Sequence, residues 1–303
     1  MSRHILSMSD FRPGEIEHVL DLASEPPREP ALTGKGAALI FEHPSARTRN
    51  AMEMAVVAHK GHPVTIRGEE IGLDVRESAE DVARTLACFH HLIGARVAKH
   101  ATLERMALAL DHAGAQVPVI NLLSDYEHPS QAFADLLTIR ENFGELKGVE
   151  IAYIGDANNV ARSLAIGAAL TGAHMRIASP EAYALGAEDR AALVGLGADI
   201  EYLSDPEAAA RGADVLYADV WVSMGEEAAG EAKRQSLAGF SIDDRLVALA
   251  SKRAIVMHCL PAHRGEEIAA SVIDGPRSRV WQQAKNRMHS LIGLIGFAFE
   301  DGH

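Results

Sequence analysis

The sequence predicts an α/β protein of two doubly wound domains, each a parallel sheet flanked by helices. Short apolar runs alternate with amphipathic helical stretches along the chain, and that alternation implies parallel strands joined by helical crossovers. The rhythm occurs twice, and 303 residues are roughly enough for two domains of ordinary size. Hydrophobic residues make up 48% of the chain, enough for two buried cores.

In the first half, Ile16, Val19, Leu20 and Ala23 fall at helical spacing after Pro13. Residues 37–41 read as a buried strand. A helix is expected from Arg47, with Met52, Ala55 and Val56 inward, and residues 63–66 form a second strand. Ser78-Ala79-Glu80-Asp81 reads as a capping-box start for a helix to about Phe89. Strands are expected at 92–95 and 118–122, and a helix at 130–142. In the second half, strands are expected at 150–154, 175–178, 200–203, 215–217 and 255–257, with helices between them. A last helix spans about 284–299. These readings place one domain at 1–143, a second at 148–283, and residues 284–303 back on the first. Residues 224–235 read as a long polar loop after a strand, and hence as a candidate lid.

The totals exclude several classes. No run of about 18 uncharged apolar residues occurs, so no membrane span is expected. The first residues lack the basic-then-apolar build of a signal peptide. Two cysteines, Cys88 and Cys259, make no disulfide framework and fit a reducing cytoplasm. A net charge of -13 argues against nucleic acid. It leaves room for a small anionic substrate held by a local arginine cluster.

Six stretches carry chemistry. Phe41-Glu42-His43-Pro44-Ser45-Ala46-Arg47-Thr48-Arg49 runs from a strand through a proline turn into a helix start. Free backbone N–H groups and the helix dipole favour an anion there. Ser45 and Thr48 add hydroxyls, and Arg47 and Arg49 add guanidinium groups. The same residues also make an ordinary capped helix with solvated arginines. His128-Pro129-Ser130-Gln131 sets an imidazole beside an amide, a pair that can hold a carbonyl or that can simply face solvent.

Gly155-Asp156-Ala157-Asn158-Asn159 stands where a dinucleotide fingerprint would, but lacks its second and third glycines. That disfavours a nicotinamide dehydrogenase, and the adjacent asparagines suit an amino-acid head group. Asp219-Val220-Trp221-Val222-Ser223-Met224-Gly225 places an acid at a strand end, where it could bind an ammonium group. Met257-His258-Cys259-Leu260-Pro261-Ala262-His263-Arg264-Gly265-Glu266-Glu267 puts a cysteine at another strand end, facing the ligand crevice of such sheets. A metal site of His258, Cys259 and His263 is disfavoured, since no second cysteine or ordered histidine spacing supports it. Cys88 reads as core. Asn286-Arg287-Met288-His289 offers an arginine for a carboxylate, or a surface arginine.

Together these residues resemble the aspartate/ornithine carbamoyltransferase family, from Arg3-His4-Ile5-Leu6 to the last helix. The resemblance is carried by Ser-x-Arg-Thr-Arg at 45–49, by Asp219–Gly225 and by His258–Glu267; the last two look like the ornithine-using branch. It implies transfer of the carbamoyl group of carbamoyl phosphate to the δ-amine of L-ornithine, giving L-citrulline and phosphate, in arginine biosynthesis. It implies that Ser45, Ala46, Arg47, Thr48, Arg96, His128 and Gln131 bind carbamoyl phosphate. Asn159, Asp219, Ser223, Met224, Cys259, Leu260 and Arg287 would bind ornithine, and Cys259, Arg96, His128 and Asp219 would carry the chemistry. It further implies a cytoplasmic homotrimer without cofactor or metal.

Four positions depart from the family pattern. Ala46 replaces a threonine, Ser130 a cysteine or threonine, Lys285 a glutamate and Gly72 a glutamine that reaches a neighbouring subunit's site. Gly72 and Ala46 lead us to expect weaker carbamoyl-phosphate binding, with Arg76 as a partial substitute. The rival readings are a sister enzyme for putrescine, aspartate or an acylated ornithine, and a catalytically silent ligand-binding relative.

Overall fold

The computed structural model describes residues 3–222 and 230–300. The chain divides into two compact units, residues 1–134 with 287–303, and residues 135–286. Each is built on a parallel sheet with helices against it, the doubly wound α/β class expected.

The first unit carries strands β1 (Gly36–Phe41), β2 (His62–Arg67), β3 (Leu92–Arg96) and β4 (Val119–Leu123), in the order β2-β1-β3-β4. Five helices accompany them: α1 (Glu15–Ser24), α2 (Ala46–Ala58), α3 (Gly68–Ile71), α4 (Ala79–Ala87) and α5 (His100–His112). The central strands are apolar because both faces are covered: every residue of β3 is buried, as are 37–41 of β1, whereas the edge strand β2 has no buried residue. Helix α1 turns Ile16, Val19, Leu20 and Ala23 inward, the face that their spacing requires. Phe41 pairs with Arg96, so the ends of β1 and β3 lie side by side at the point where the strand order reverses. The β3–β4 register shifts between Ala95 and Arg96, a bulge of the kind that re-aims a side chain next to a site.

Several expectations need correction. Helix α5 was not anticipated, although Thr102, Leu103, Met106, Ala107 and Leu110 mark one buried face. Ser78 does cap α4, its Oγ accepting from the Asp81 N–H, but the helix stops at Ala87. Cys88 is therefore a terminal residue, not core: it is exposed, and its thiol donates to the Arg84 carbonyl. Gly72 closes α3 at φ 61°, a left-handed cap that favours glycine. A Cβ there would also stand 2.9 Å from the Arg76 side chain. Glutamine at this position would carry backbone strain of about 1–2 kcal/mol.

The second unit carries β5 (Glu150–Ile154), β6 (His174–Ala178), β7 (Ile200–Leu203), β8 (Val215–Ala218) and β9 (Ile255–His258), in the order β7-β6-β5-β8-β9. Helix α6 (Pro129–Phe143) leads into this unit. Helices α7 (Asn159–Thr171), α8 (Ala187–Gly195), α9 (Pro206–Ala210), α10 (Gly230–Leu237), α11 (Asp244–Leu249) and α12 (Ala270–Ile273) follow, and α13 (Val280–Phe299) ends the described chain. The order reverses between β5 and β8, which places the turns after both strands at one crevice.

Part of the stretch expected as a polar loop, 230–235, is helical in α10. Its Glu, Ala, Lys, Arg and Gln are good helix formers, and Lys233 and Leu237 are buried one turn apart. The remainder of the expected lid, 224–229, lies outside the described residues.

The division between the two compact units falls inside α6. Up to Ala134 that helix belongs with the first unit, where Ser290 Oγ donates to the Ser130 carbonyl and Phe133 packs edge-on against Phe11. From Asp135 on, its polar side chains face the second unit. Asp135 accepts from Tyr217 and Gln283, and Asn286 donates to Thr138 and Glu141.

Candidate functional site

The first unit gathers an arginine cluster from the ends of β1 and β3 and from α13. Ser45 caps α2, accepting the Thr48 N–H at 3.4 Å. This orients the free amides of the first turn outward, beside Ala46, whose backbone N–H remains. Arg47 is exposed and Thr48 buried. Arg49 is committed elsewhere, bonded to Glu53 at 2.8 Å. Arg96 ends β3 and is only 8% exposed. Its Nε has no hydrogen-bond partner in the described structure. Burial, then the Arg287 and Arg47 charges, push its pKa down to about 10. A buried cation facing two others is costly, and an anion offsets that cost.

Arg287 was expected with the amino acid. It belongs to the first unit, where its Nη2 donates to Thr48 Oγ1 at 2.6 Å. It is buried, not a surface arginine, and its charge is felt by both Arg96 and His128. The sequence could not show this, because Thr48 and Arg287 are 239 residues apart. Lys285, by contrast, is exposed, so that departure is on the surface.

His128 and Gln131 are buried at the start of α6 and do not face solvent. Burial, then Arg287 and Arg96, hold the His128 imidazole well below the usual histidine range, so it is neutral at pH 7. A neutral ring has one donor and one acceptor nitrogen. Its Nδ1 lies 3.2 Å from Ser130 Oγ. The Ser130 hydroxyl has two acceptors in reach, His128 Nδ1 at 3.2 Å and the Leu122 carbonyl at 3.4 Å; when it donates to Nδ1, the proton sits on Nε2, the tautomer that can donate to a carbonyl oxygen. Serine at 130 keeps the hydroxyl that threonine would supply.

His59, also buried in this unit, is held below the usual range by burial; its ring meets the Ala31 N–H at 3.2 Å and the Ile292 carbonyl at 2.9 Å. An unfolded chain protonates both imidazoles near pH 6.5, whereas the folded chain resists. Stability is therefore expected to hold above pH 6.5 and to fall as pH drops below it, by up to about 1.4 kcal/mol per pH unit per imidazole. Urea midpoints at pH 7.5 and 5.5 test this. Equal midpoints would mean that the rings protonate in the folded state.

The second unit gathers a thiol–carboxylate network at the ends of β5, β8 and β9. Cys259 Sγ donates to Asp219 Oδ1 at 2.7 Å. The Val220 N–H donates to the same oxygen at 2.7 Å, and Asn158 Nδ2 donates to Oδ2 at 2.8 Å. Asn158 Oδ1 caps α7 through the Val160 and Ala161 amides and accepts from the Tyr153 hydroxyl. Burial, then the Asp219 charge, hold the Tyr153 phenol well above its usual range, so it remains a donor. Asn159 opens α7 one residue on, half-buried. Leu260 follows Cys259 at φ 62°, joined to Pro261 by a cis bond. Ser223 and Met224 lie outside the described residues.

Asp219, not His263, joins His258 and Cys259, with one ligand-type atom of each within 4.8 Å of the others. Both His258 nitrogens are already engaged. Nδ1 accepts the Leu260 N–H at 2.9 Å, so Nε2 carries the proton and faces Glu267 Oε1 at 3.2 Å. The imidazole thus braces the Cys259–Leu260 turn. The partners of Asn158, Ser130 and His258 are set by tertiary packing, so the sequence offers Asn158 only as one of two adjacent asparagines and His258 only as a metal-ligand candidate; the cap position of Asn158 is a further local signal.

The aspartate/ornithine carbamoyltransferase family matches in two parts. Its carbamoyl-P binding domain matches residues 3–141 and its Asp/Orn binding domain residues 147–297. The chain is 45% identical to an ornithine carbamoyltransferase of Acidothermus cellulolyticus, covering 99% of this chain and 97% of that one. It is 46% identical to one of Hyperthermus butylicus, covering 97% and 96%. Its fold superposes on an ornithine carbamoyltransferase structure from Pyrococcus furiosus with a TM-score of 0.90 at 39% identity, covering 97% and 96%.

Proposed function

We propose that this chain, which belongs to the aspartate/ornithine carbamoyltransferase family, transfers the carbamoyl group of carbamoyl phosphate to the δ-amine of L-ornithine, giving L-citrulline and phosphate. The observation that carries the proposal is buried Arg96, its Nε unpartnered and its charge crowded by Arg287 and Arg47. That arrangement suits a phosphate-bearing ligand. The relatives named above supply the acceptor.

In this reading Ser45, the amide of Ala46, Arg47 and Thr48 hold the phosphate. Arg96, Arg287, His128 and Gln131 address the carbamoyl group. Asn159, Asp219, Cys259 and Leu260, with Ser223 and Met224, receive ornithine. A free δ-amine should titrate near a lysine, at about 10.4, so about 0.04% is nucleophilic at pH 7, a penalty near 4.6 kcal/mol. The Asp219 carboxylate takes up the departing proton, either directly or through the Cys259 thiol, which passes its own proton to Asp219 Oδ1 as it receives the amine's. The amine nitrogen bonds to the carbamoyl carbon, the carbonyl oxygen gains charge, and Arg96 and Nε2–H of His128 donate to it. The C–O bond to phosphate then breaks, and phosphate leaves with the electron pair. The reaction is redox-neutral and its donor arrives activated, so the proposal needs neither metal nor cofactor. The family resemblance extends it to a cytoplasmic homotrimer in arginine biosynthesis; sedimentation of the purified protein tests the trimer.

Acceptor choice is the direct test. L-ornithine should give product at a kcat/KM at least about 10³ above putrescine, aspartate or N-acetylornithine, because unmatched polar groups are discriminated at 10⁴–10⁵ in favourable sites. Comparable values for putrescine would transfer the proposal to a diamine enzyme. No turnover with any amine would support a silent relative.

A further inference from the structure

Asn158 sits in an unusual double role, and its amide can point only one way. Its side-chain oxygen accepts from Val160 N at 2.9 Å, from Ala161 N at 3.4 Å and from the Tyr153 hydroxyl at 3.3 Å. All three partners are donors, so that end of the amide must be oxygen. The other end is then NH₂, and it meets Asp219 Oδ2 at 2.8 Å. A helix cap and a carboxylate clamp are thus locked to each other by one rigid, planar group.

The consequence falls on Asp219. Its two oxygens are divided: Oδ2 takes Asn158, while Oδ1 takes the Cys259 thiol and the Val220 N–H. Without the Asn158 donor, Oδ2 loses its tether and the carboxylate can turn about its Cα–Cβ and Cβ–Cγ bonds. The thiol contact at Oδ1 depends on that orientation. Asn158 is one residue from Asn159, but it works inward, onto the carboxylate.

We infer that Asn158 is a positioning residue for the reaction, holding Asp219 in the orientation that accepts a proton from Cys259 or from the bound amine. The inference rests on the carbamoyl-transfer reading. Capping alone would explain an oxygen at this position; aspartate and serine also cap well. Neither offers a second-end NH₂ group. Asparagine is the residue that does both.

That difference gives the test. Asn158→Ser and Asn158→Asp both retain a cap oxygen and both lose the donor. Far-UV circular dichroism and the amide exchange of Val160 and Ala161 should stay close to wild type in both. The Val220 amide, whose acceptor is Asp219 Oδ1, should exchange at least about tenfold faster. This readout does not require turnover, so it stands even if the wild-type protein makes no citrulline, the result that would remove the carbamoyl-transfer reading instead. With turnover, kcat should fall about 10- to 100-fold while KM for carbamoyl phosphate stays within about twofold, an effect of one lost charge-assisted contact. Asn158→Asp should be the slower of the two, since it sets a carboxylate against Asp219. In an Asp219→Asn background, changing Asn158 should cost less than about threefold, because the two act as one unit. The inference is overturned by unchanged Val220 exchange with the cap intact, by full kcat in Asn158→Asp, or by an undiminished loss in the Asp219→Asn background.

Discussion

Arg96→Met is expected to lower kcat/KM for carbamoyl phosphate by about 10³ to 10⁴, while leaving the unliganded protein more stable than wild type. Two losses combine. A charge-assisted contact to the bound ligand is worth about 1.5–3 kcal/mol, and an oxyanion donor about 10² to 10³ in rate. They overlap on one guanidinium, so the sum is smaller than the product. The gain in stability has its own cause. Arg96 is buried among Arg287 and Arg47, which with desolvation lower its pKa to about 10. A methionine, unbranched and two atoms shorter, removes that cost and fills the space of the apolar stem. Replacing buried charge by packed apolar atoms can gain about 1–4 kcal/mol.

Thermal unfolding with and without inorganic phosphate separates the two effects. Wild type should gain stability with phosphate, by about 2.7 kcal/mol at a hundred times its Kd. Arg96→Met should start higher and gain much less. A variant that keeps its activity, or that is plainly less stable without ligand, would show that Arg96 serves packing.

How much of this was legible depends on the range over which each feature is determined. The nine strands of the described residues followed from apolar runs, clearest where both faces are covered, as in β3 and β5. The clustering of chemistry at strand ends followed from the doubly wound order, which needs only the alternation of elements. Helix α5 was missed although its apolar period is plain; the polar residues between 99 and 105 hid it. The stretch 230–235 was taken for loop by its polarity, where propensity and the inward spacing of Lys233 and Leu237 decide. Cys88 reads as core only if α4 runs on to Phe89, two residues past its end at Ala87.

The site was legible by half. Ser45 and Thr48 announce themselves through a local cap, and Asp219 and Cys259 through their strand ends. Partnership is another matter. Arg287 meets Thr48 only because the last helix returns to the first unit. The boundary inside α6 is set the same way, by Tyr217, Gln283 and Asn286 reaching Asp135, Thr138 and Glu141. No local pattern reports a pairing across more than eighty residues.

Asp219→Asn is the second large effect. It should cut kcat for ornithine by about 10² to 10⁴ at pH 7.5, the range for a displaced general base. The geometry explains why an isosteric change is severe. Three donors, from Cys259, Val220 and Asn158, converge on two carboxylate oxygens. An amide has one oxygen, so at least one donor must face an NH₂ group, at a cost of about 1–3 kcal/mol. Cys259→Ala leaves the Asn158–Asp219 contact in place and should lose less. Carbamoyl-phosphate binding should be nearly unchanged in both, because that ligand's proposed contacts lie in the first unit. The pH dependence is the sharper criterion. Removing a proton from the arriving ammonium matters less as the δ-amine becomes free, and half of it is free at about pH 10.4. The ratio of wild-type to Asp219→Asn kcat/KM should therefore narrow as pH rises toward 10. A ratio constant across pH 7 to 10 would mean that Asp219 orients ornithine without taking its proton. A kcat within threefold of wild type would reduce the network to a structural brace.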